Sequence, residues 1–291
     1  MKSSFLSALC GVVFVFGLVS YGLACHPKIV GLYKDANQVV HGFIYDVATS
    51  SYDEVIISGS SIVRCRGIND NSFVVGDYED SNGTHGFKYN FSTSSLTTID
   101  YPGSSYTCCM GINNANEIIG EYKDSSNKNH GFFFDGSTFT TLDYPDANFT
   151  RCHNINDSGK IVGHWLNIND TQYGFYYDGN YYLTVLPASA SSSSAIDINS
   201  DGVICGGYVD LSNSNQYGYI YNGTSFTAIQ YPNMTFQQAN GINDDLQVVG
   251  HYMDTNNVVH GFFKNGSTYT TITIDPNARW TYCIDISNAV Y

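Results

Sequence analysis

The sequence predicts an all-β protein, a six-bladed β-propeller of four-stranded antiparallel blades. Three observations predict this fold: one set of motifs recurs six times, each repeat contains four short strand-like runs, and the two ends of the chain supply complementary parts of one repeat. Only 13% of the 291 residues are charged, while 28 are Gly and 24 are Tyr. This composition is typical of half-buried strands that are joined by tight turns.

The first 24 residues have the features of a signal peptide. Lys2 supplies a short positive start, residues 5–19 form an apolar run, and Gly22-Leu23-Ala24 is a small-residue cleavage site. Two alternatives stay open: a membrane anchor that is never cleaved, and lipid attachment at Cys25, which directly follows the cleavage site. We therefore predict a signal peptide over residues 1–24 and a secreted or periplasmic propeller over residues 25–291.

The motif Ile/Val-Val-Gly-x-Tyr marks the repeat most clearly. Its glycines are spaced by 45, 44, 43, 43 and 44 residues. They are Gly31, Gly76, Gly120, Gly163, Gly206 and Gly250. Two further motifs keep the same step: His-Gly-Phe, in which Tyr replaces His in two repeats, and Ile-Asn-Asp with its close variants. Three motifs at one step predict a structural unit of about 44 residues.

The third repeat illustrates the strands expected in each unit. Strands are predicted at residues 109–113, 117–123, 130–134 and 139–143. The dipeptide Asp135-Gly136 predicts a tight hairpin turn between the third and fourth strands, and Tyr144-Pro145 ends the fourth. Four antiparallel strands in a repeat of this length make one propeller blade, whereas a β-helix would need shorter coils.

The two ends of the chain predict how the ring closes. After the signal peptide, the chain begins with the second strand of a blade at residues 28–34, and it finishes with a first strand at residues 281–287. We therefore expect the C-terminal strand to complete the N-terminal blade, one strand joining three. Closure of this kind would remove the exposed sheet edges that promote aggregation.

The repeats resemble the bacterial "extracellular repeat, HAF family". Its signature is close to Gly-Ile-Asn-x-x-Gly-x-Ile-Val-Gly-x-Tyr followed by His-Gly-Phe, which stands here as Gly241 to Tyr252 followed by His260-Gly261-Phe262. The resemblance covers nearly the whole chain after the signal peptide. It implies an exported repeat protein with a propeller fold, and it implies no catalytic residue and no cofactor. The chain departs from the pattern in a serine run at residues 191–194 and in its cysteines.

The repeated cysteines and histidines are expected to be structural. One repeat position holds Cys65, Cys109, Cys152, Ala195, Ala239 and Cys283. Alternation of Cys with Ala indicates a small packed residue, and no Cys-x-x-Cys spacing supports a metal site. The histidines of His-Gly-Phe are expected to hydrogen-bond the loop aspartates Asp35, Asp80, Asp124 and Asp254.

One face of the predicted ring carries the candidate ligand-binding residues. All the arginines of the chain lie in segments that lead from the outer strand of one blade to the inner strand of the next; they are Arg64, Arg66, Arg151 and Arg279. In a propeller these segments reach the mouth of the central channel. The same segments carry four aromatic residues, Tyr106, Phe149, Phe236 and Trp280, and four neighbours that differ between blades, His153, Gln238, Asn240 and Tyr282.

Two interpretations of this face stay open. The aromatic residues could wedge adjacent blades apart while the arginines pair with nearby aspartates. Alternatively, aromatic faces and arginine forks could bind a ligand, and arginines confined to one face of an acidic chain favour an anionic ligand such as an acidic carbohydrate.

Charge and motif content restrict the possible functions. The formal net charge of −14 argues against binding to nucleic acid. We expect a monomer with no transmembrane segment in the mature chain, acting as a binding module for a carbohydrate or protein ligand. A structural cell-surface scaffold is one alternative, and a hydrolase or lyase that uses His153 as acid or base is another. No nucleophile elbow and no paired carboxylates support catalysis.

Overall fold

A computed structural model describes residues 26–231, 234 and 236–289. The predicted signal peptide and Cys25 lie outside these residues. No helix in the described part of the chain is long and apolar enough to cross a membrane.

The described chain is all-β, with 24 strands. The first three are β1 Lys28–Lys34, β2 Val40–Asp46 and β3 Ser51–Val55. The next eight are β4 Ile62–Ile68, β5 Phe73–Asp80, β6 Gly83–Asn90, β7 Ser95–Ile99, β8 Thr107–Ile112, β9 Ile118–Lys123, β10 Asn129–Phe134 and β11 Phe139–Leu142. Then follow β12 Phe149–Ile155, β13 Ile161–Leu166, β14 Gln172–Tyr177, β15 Tyr182–Val185, β16 Ala190–Ile198, β17 Ile204–Asp210, β18 Gln216–Tyr221 and β19 Phe226–Ile229. The last five are β20 Gln237–Ile242, β21 Val248–Met253, β22 Val259–Asn265, β23 Thr268–Ile272 and β24 Trp280–Ile286.

These strands pair in antiparallel groups of four, which we call units. Units 2 to 5 are β4–β7, β8–β11, β12–β15 and β16–β19, each a separate sheet. Unit 6 is β20–β23, and unit 1 is β24 followed by β1–β3. Units 6 and 1 share one eight-stranded sheet because Val259 forms a parallel pair with Trp280. The four strands predicted in the third repeat are therefore present, with bounds that differ by one or two residues.

Only glycine fits at the recurring Gly of the motif, because a backbone carbonyl and an aromatic ring occupy the space that a side chain would need. A Cβ atom at Gly120 would lie 2.0 Å from the carbonyl oxygen of Cys108 and 2.8 Å from the ring of Phe132. The equivalent rings of the six units are all fully buried; they belong to Phe43, Phe87, Phe132, Phe175, Tyr219 and Phe262. Each ring packs with Ile and Val side chains of its own unit and of a neighbour, so the core lies between units.

The cysteines take the structural role expected of them, and two of the four motif histidines form the expected bonds. The cysteines of the described chain are free and buried, and burial raises the pKa of Cys65, Cys109, Cys152 and Cys283. The Nε2 atoms of His130 and His260 form the expected hydrogen bonds to Asp124 and Asp254, at 3.3 and 3.1 Å. Those of His41 and His85 lie 3.5 and 3.3 Å from Asp35 and Asp80 without a hydrogen bond.

The first strands of the units surround a narrow axial cavity. This cavity, of about 60 Å³, is lined by residues of all six units that belong to the Ile-Asn-Asp motif and its variants. Each first strand contacts the first strand of the next unit, and β24 contacts β4. We call this end of the axis the motif end, and the end where the first strands begin the variable end.

Candidate functional site

The variable end contains most of the residues that were predicted to bind a ligand. Each first strand brings three repeat positions there, namely the residues three before, one before and one after the Cys/Ala position. The second strand adds the residue after the motif glycine, which pairs directly with the residue before Cys/Ala, as Arg64 pairs with Asp77. In chain order, these second-strand residues are Leu32, Asp77, Glu121, His164, Gly207 and His251.

Arg64 and Arg66 are held by a buried carboxylate in unit 2. One nitrogen of Arg64 donates to Asp77 at 2.6 Å and another to Glu79 at 2.7 Å, while Nε of Arg66 donates to Asp77 at 2.5 Å. Burial by itself would raise the pKa of Asp77, but the charges of Arg66 and Arg64 outweigh burial and lower it. Asp77 also accepts from the thiol of Cys108 at 3.2 Å.

Arg151 is held in the same way by Glu121 of unit 3. Nε and Nη2 of Arg151 donate to the two carboxylate oxygens of Glu121, both at 2.8 Å, in a bidentate pair. Glu121 is 1% exposed and also accepts from the hydroxyl of Tyr106 at 2.9 Å and the amide of Asn129 at 3.0 Å. The guanidinium of Arg151 lies over the ring of Phe149, 5.4 Å from its centroid.

These ion pairs bear directly on the expected preference for an anion. Arg64, Arg66 and Arg151 face Asp77, Glu79 and Glu121, so their charges are balanced within the protein. Arg279 is exposed, and its described bond is a backbone bond to Lys34. The pairing interpretation therefore matches the geometry of three arginines, and the physical reason to expect an anionic ligand there is removed.

Two uncharged histidines lie next to Arg151. Nε2 of His153 and Nδ1 of His164 are 2.8 Å apart, and the ring of His164 stacks on Phe149 at 5.5 Å. Burial and the positive charge of Arg151 lower the pKa of His164 to about 3, and burial likewise lowers that of His153. Because one imidazole donates to the other, the neutral pair always retains one ring N–H donor and one ring nitrogen acceptor.

A cavity at the variable end lies in unit 5 and is bordered by units 4 and 6. It has a volume of about 400 Å³, and we call it the serine pocket. Its lining comprises Arg151, His153, His164, Gln172, Ser192, Ser193, Ser194, Ile196, Gly207, Tyr208, Val209, Gln216 and Gln238. It therefore unites three predicted residues with the serine run that departs from the repeat.

The serine pocket exists because unit 5 has small residues where the other units have large ones. Ser194 occupies the position before Cys/Ala, which holds Arg64, Cys108, Arg151, Gln238 and Tyr282 in the other units. Ser192 occupies the position of Tyr106, Phe149, Phe236 and Trp280. Gly207, the direct partner of Ser194, occupies the position of Asp77, Glu121, His164 and His251. Three truncated positions on two adjacent strands leave the volume that side chains fill elsewhere.

The remaining predicted residues lie in units 6 and 1. The side-chain amide of Asn240 donates to the Cys283 carbonyl at 2.8 Å and to Nδ1 of His251 at 3.0 Å. Gln238 accepts from Gln216 at 2.9 Å on the wall of the serine pocket. Phe236, Trp280 and Tyr282 are partly exposed and lie around His251.

Sequence reasoning missed the second-strand residues of this end, above all Asp77, Glu121, His164 and Gly207. A signal for them was present, since they occupy the unspecified position of Ile/Val-Val-Gly-x-Tyr. That position changes from unit to unit inside an otherwise constant motif. Within the described residues, no group of three or more His, Cys, Asp or Glu side chains is arranged to hold a metal ion.

Comparisons with known proteins identify the fold. No family model matches the sequence, and no curated protein sequence matches it. Among solved structures, TolB from Acinetobacter baumannii superposes with a TM-score of 0.69 at 10% identity, over 91% of this chain and 67% of that chain. The β-propeller domain of the Trilobed protease from Pyrococcus furiosus gives 0.54 at 12% identity, over 86% and 82%.

A lectin is also among the similar structures. The Aleuria aurantia lectin, solved with alpha-methyl-L-fucoside, gives a TM-score of 0.51 at 13% identity, over 87% of this chain and 96% of that chain. At these identities the similarity concerns the fold alone. Together with the four-stranded antiparallel sheets, it shows that the chain adopts a β-propeller fold.

Proposed function

We propose that this protein is an exported, six-bladed β-propeller of the HAF repeat type that binds a carbohydrate in the serine pocket. The observation that carries the proposal is the pocket itself, a polar cavity at the variable end whose one charged residue, Arg151, is paired with Glu121.

Strand pairing supports six blades closed by the C-terminal strand. β24 pairs with β1 in an antiparallel register that runs from Ile29 opposite Ile286 to Lys34 opposite Trp280. The backbone N–H of Asn288 donates to Asp70 at 2.9 Å, and that of Ile68 donates to Asp285 at 2.9 Å. These bonds join the C-terminal strand to unit 2, so unit 1 is bonded on both sides.

The chemistry of the pocket favours an uncharged, hydroxyl-rich ligand. Its polar groups are the hydroxyls of Ser192 and Ser194, the amides of Gln172, Gln216 and Gln238, and the neutral pair of His153 and His164. All of them except the ring nitrogens both donate and accept, and the histidine pair offers one of each, which suits sugar hydroxyls. The hydroxyl of Ser193 is buried and bonds to Gly174 and Val185. The volume of about 400 Å³ lies within the usual range of small-ligand sites, roughly 300–1,000 Å³. Arg151 brings no net charge because Glu121 holds it.

A glycan array tests this proposal with a variant that fills the pocket. Ser194→Tyr introduces tyrosine at the repeat position where unit 1 has Tyr282. Because unit 1 forms the same strands with tyrosine there, we expect the backbone of unit 5 to accommodate it. We expect the wild-type protein to bind neutral sugars and this variant to lose at least tenfold in affinity. Ser58→Phe, at an exposed linker position, is the matched control and should bind normally.

The same screen separates the other functions. Undiminished binding by Ser194→Tyr would exclude the serine pocket as the site. Loss of binding in the Arg151→Ala/Trp280→Ala variant but not in Ser194→Tyr would move the site to the neighbouring rim. Absence of binding to every neutral and acidic glycan would favour a structural scaffold. Release of reducing sugar that His153→Ala abolishes would identify a hydrolase.

A further inference from the structure

A cluster of aromatic rings borders the serine pocket at the variable end. We call Phe236, His251, Trp280 and Tyr282 the aromatic cluster. Ring centroids lie 5.7 Å apart for Phe236 and His251, 4.4 Å for His251 and Tyr282, and 5.1 Å for Tyr282 and Trp280. His251 is buried at the centre, whereas the other three are partly exposed. The cluster thus has a solvent-facing side made of aromatic carbon.

The aromatic cluster is continuous with the pocket through Gln238. This residue lines the pocket and pairs directly with His251 across β20 and β21. Directly paired residues of antiparallel strands have Cα atoms only about 5 Å apart. Phe236 precedes Gln238 by two residues, and alternate residues of an extended strand lie on the same face. A ligand that leaves the pocket past Gln238 therefore meets the cluster.

The same repeat positions build the pocket and the cluster. Ser192 and Ser194 are the residues of unit 5 that correspond to Trp280 and Tyr282 in unit 1, and Phe236 is the counterpart of Ser192 in unit 6. Small residues open a cavity, while large aromatic residues form a raised surface beside it.

The cluster has the chemistry of a sugar-stacking surface. Aromatic faces attract the C–H faces of pyranose rings through dispersion and burial of apolar area. The cluster carries no charge, because burial lowers the pKa of His251 to about 3. The hydroxyl of Tyr282 adds a polar group that can bond a sugar hydroxyl.

We propose that the aromatic cluster is a second subsite, which stacks on the sugar linked to the one in the serine pocket, so that the ligand is a neutral oligosaccharide of at least two units. This inference rests on the proposed function, because it needs a sugar in the pocket.

Titration calorimetry with sugars of increasing length tests the subsite. The probes are methyl glycosides of glucose, galactose, mannose and fucose, with neutral disaccharides and trisaccharides of the same sugars. We expect the best disaccharide to bind about tenfold or more tightly than its monosaccharide, since one aromatic stack contributes roughly that factor. Trp280→Ala should remove this gain and leave monosaccharide affinity unchanged, and Trp280→Phe should restore most of it.

Two controls separate stacking from a structural effect. Ile62→Ala changes the same repeat position in unit 2, away from the pocket, and should leave oligosaccharide affinity unchanged. The chain has two Trp residues, so in a Trp165→Phe background the emission comes from Trp280. That emission should shift when a disaccharide binds and stay constant when a monosaccharide binds.

The outcomes distinguish the two proposals. Equal affinity for monosaccharides and longer chains would overturn the second subsite and leave the pocket intact. An equal loss of both affinities in Trp280→Ala, without rescue by Trp280→Phe, would also overturn it. If no sugar binds at all, both proposals fail.

Discussion

The two ends of the axis use the same strands in opposite ways. At the motif end, one bond recurs from unit to unit, from a side-chain amide to the next unit's carbonyl oxygen. The donors Asn69, Asn113, Asn156, Asn199 and Asn243 make it at 2.9 to 3.3 Å. At the variable end no single contact recurs around the axis: units 2 to 4 have ion pairs, unit 5 has a cavity, and units 6 and 1 have aromatic rings.

The difference shows how a repeat protein separates stability from specificity. The recurring bond at the motif end joins a side-chain amide to a backbone carbonyl, so it depends on one residue type, Asn, and is copied in five of the six units. Contacts at the variable end join two side chains from different strands, such as Glu121 and Arg151. One substitution there changes a local contact without altering the strand pairing around it.

The motif end also varies between units at the second residue after Cys/Ala. Units 2, 3 and 6 have Gly there, whereas the other units have Asn154, Asp197 and Asp285. The two aspartates are buried, and each accepts a backbone N–H from the following unit: Asp197 from Ile242 at 2.6 Å, Asp285 from Ile68. Burial raises the pKa of both carboxyls, and the charge of Asp197 raises that of Asp285 further.

Removal of the C-terminal strand should have the largest effect, because the proposed closure depends on it. A chain that ends before Cys283 loses the pairing of residues 283–286 of β24 with β1 and the bonds of Asp285 and Asn288 to unit 2. We expect loss of cooperative unfolding and aggregation from the exposed edge of β1, observed by calorimetry and light scattering. A chain that ends at residue 289 is the control. A soluble, cooperatively unfolding truncated protein would contradict ring closure.

Acidification should destabilise the variable end through its neutral histidines. The folded-state pKa values of His164 and His251 are lowered from 6.5 to about 3, so between these values the unfolded chain binds more protons. The free energy of unfolding should therefore fall as pH decreases from about 6.5 to 3, by up to about 1.4 kcal/mol per pH unit for each histidine. Urea unfolding should show a smaller slope for His251→Gln. An unchanged slope would mean that His251 is solvated.

Asp197 and Asp285, the buried aspartates of the motif end, should make the free energy of unfolding depend on pH in the opposite direction and to a smaller extent. Because the folded-state pKa of Asp197 is raised from 3.8 to about 6, its contribution is fully present below pH 3.8 and is lost as pH rises through 6. Asp285→Asn introduces the residue that unit 4 has at this position, Asn154, and removes one buried titratable carboxyl. Urea unfolding between pH 5 and 8 should then show less loss of stability with rising pH. The exposed Asp157→Asn variant should match the wild type, and equal slopes in all three proteins would show that Asp285 does not contribute to the pH dependence.

Prediction from sequence succeeded where one residue determines a local geometry. Gly120 must be glycine because Phe132 packs on it, and Asp135-Gly136 forms its hairpin turn within one unit. It failed to locate the serine pocket, although the serine run was recognised as unusual. Ser194 opens a cavity only because Gly207, thirteen positions later, is its cross-strand partner, and because Gln238 of another unit forms the far wall.

The sequence by itself therefore determined the repeat, the strands and the pairing expected of the two chain ends, because hydrogen bonding and turn chemistry act between residues close in one unit. Only the tertiary structure decided which variable residues meet. It paired the arginines with Asp77 and Glu121, joined the two histidines and left unit 5 open. These outcomes depend on the volumes and charges of side chains that converge on the axis from separate strands and units, and no periodicity in the chain encodes that convergence.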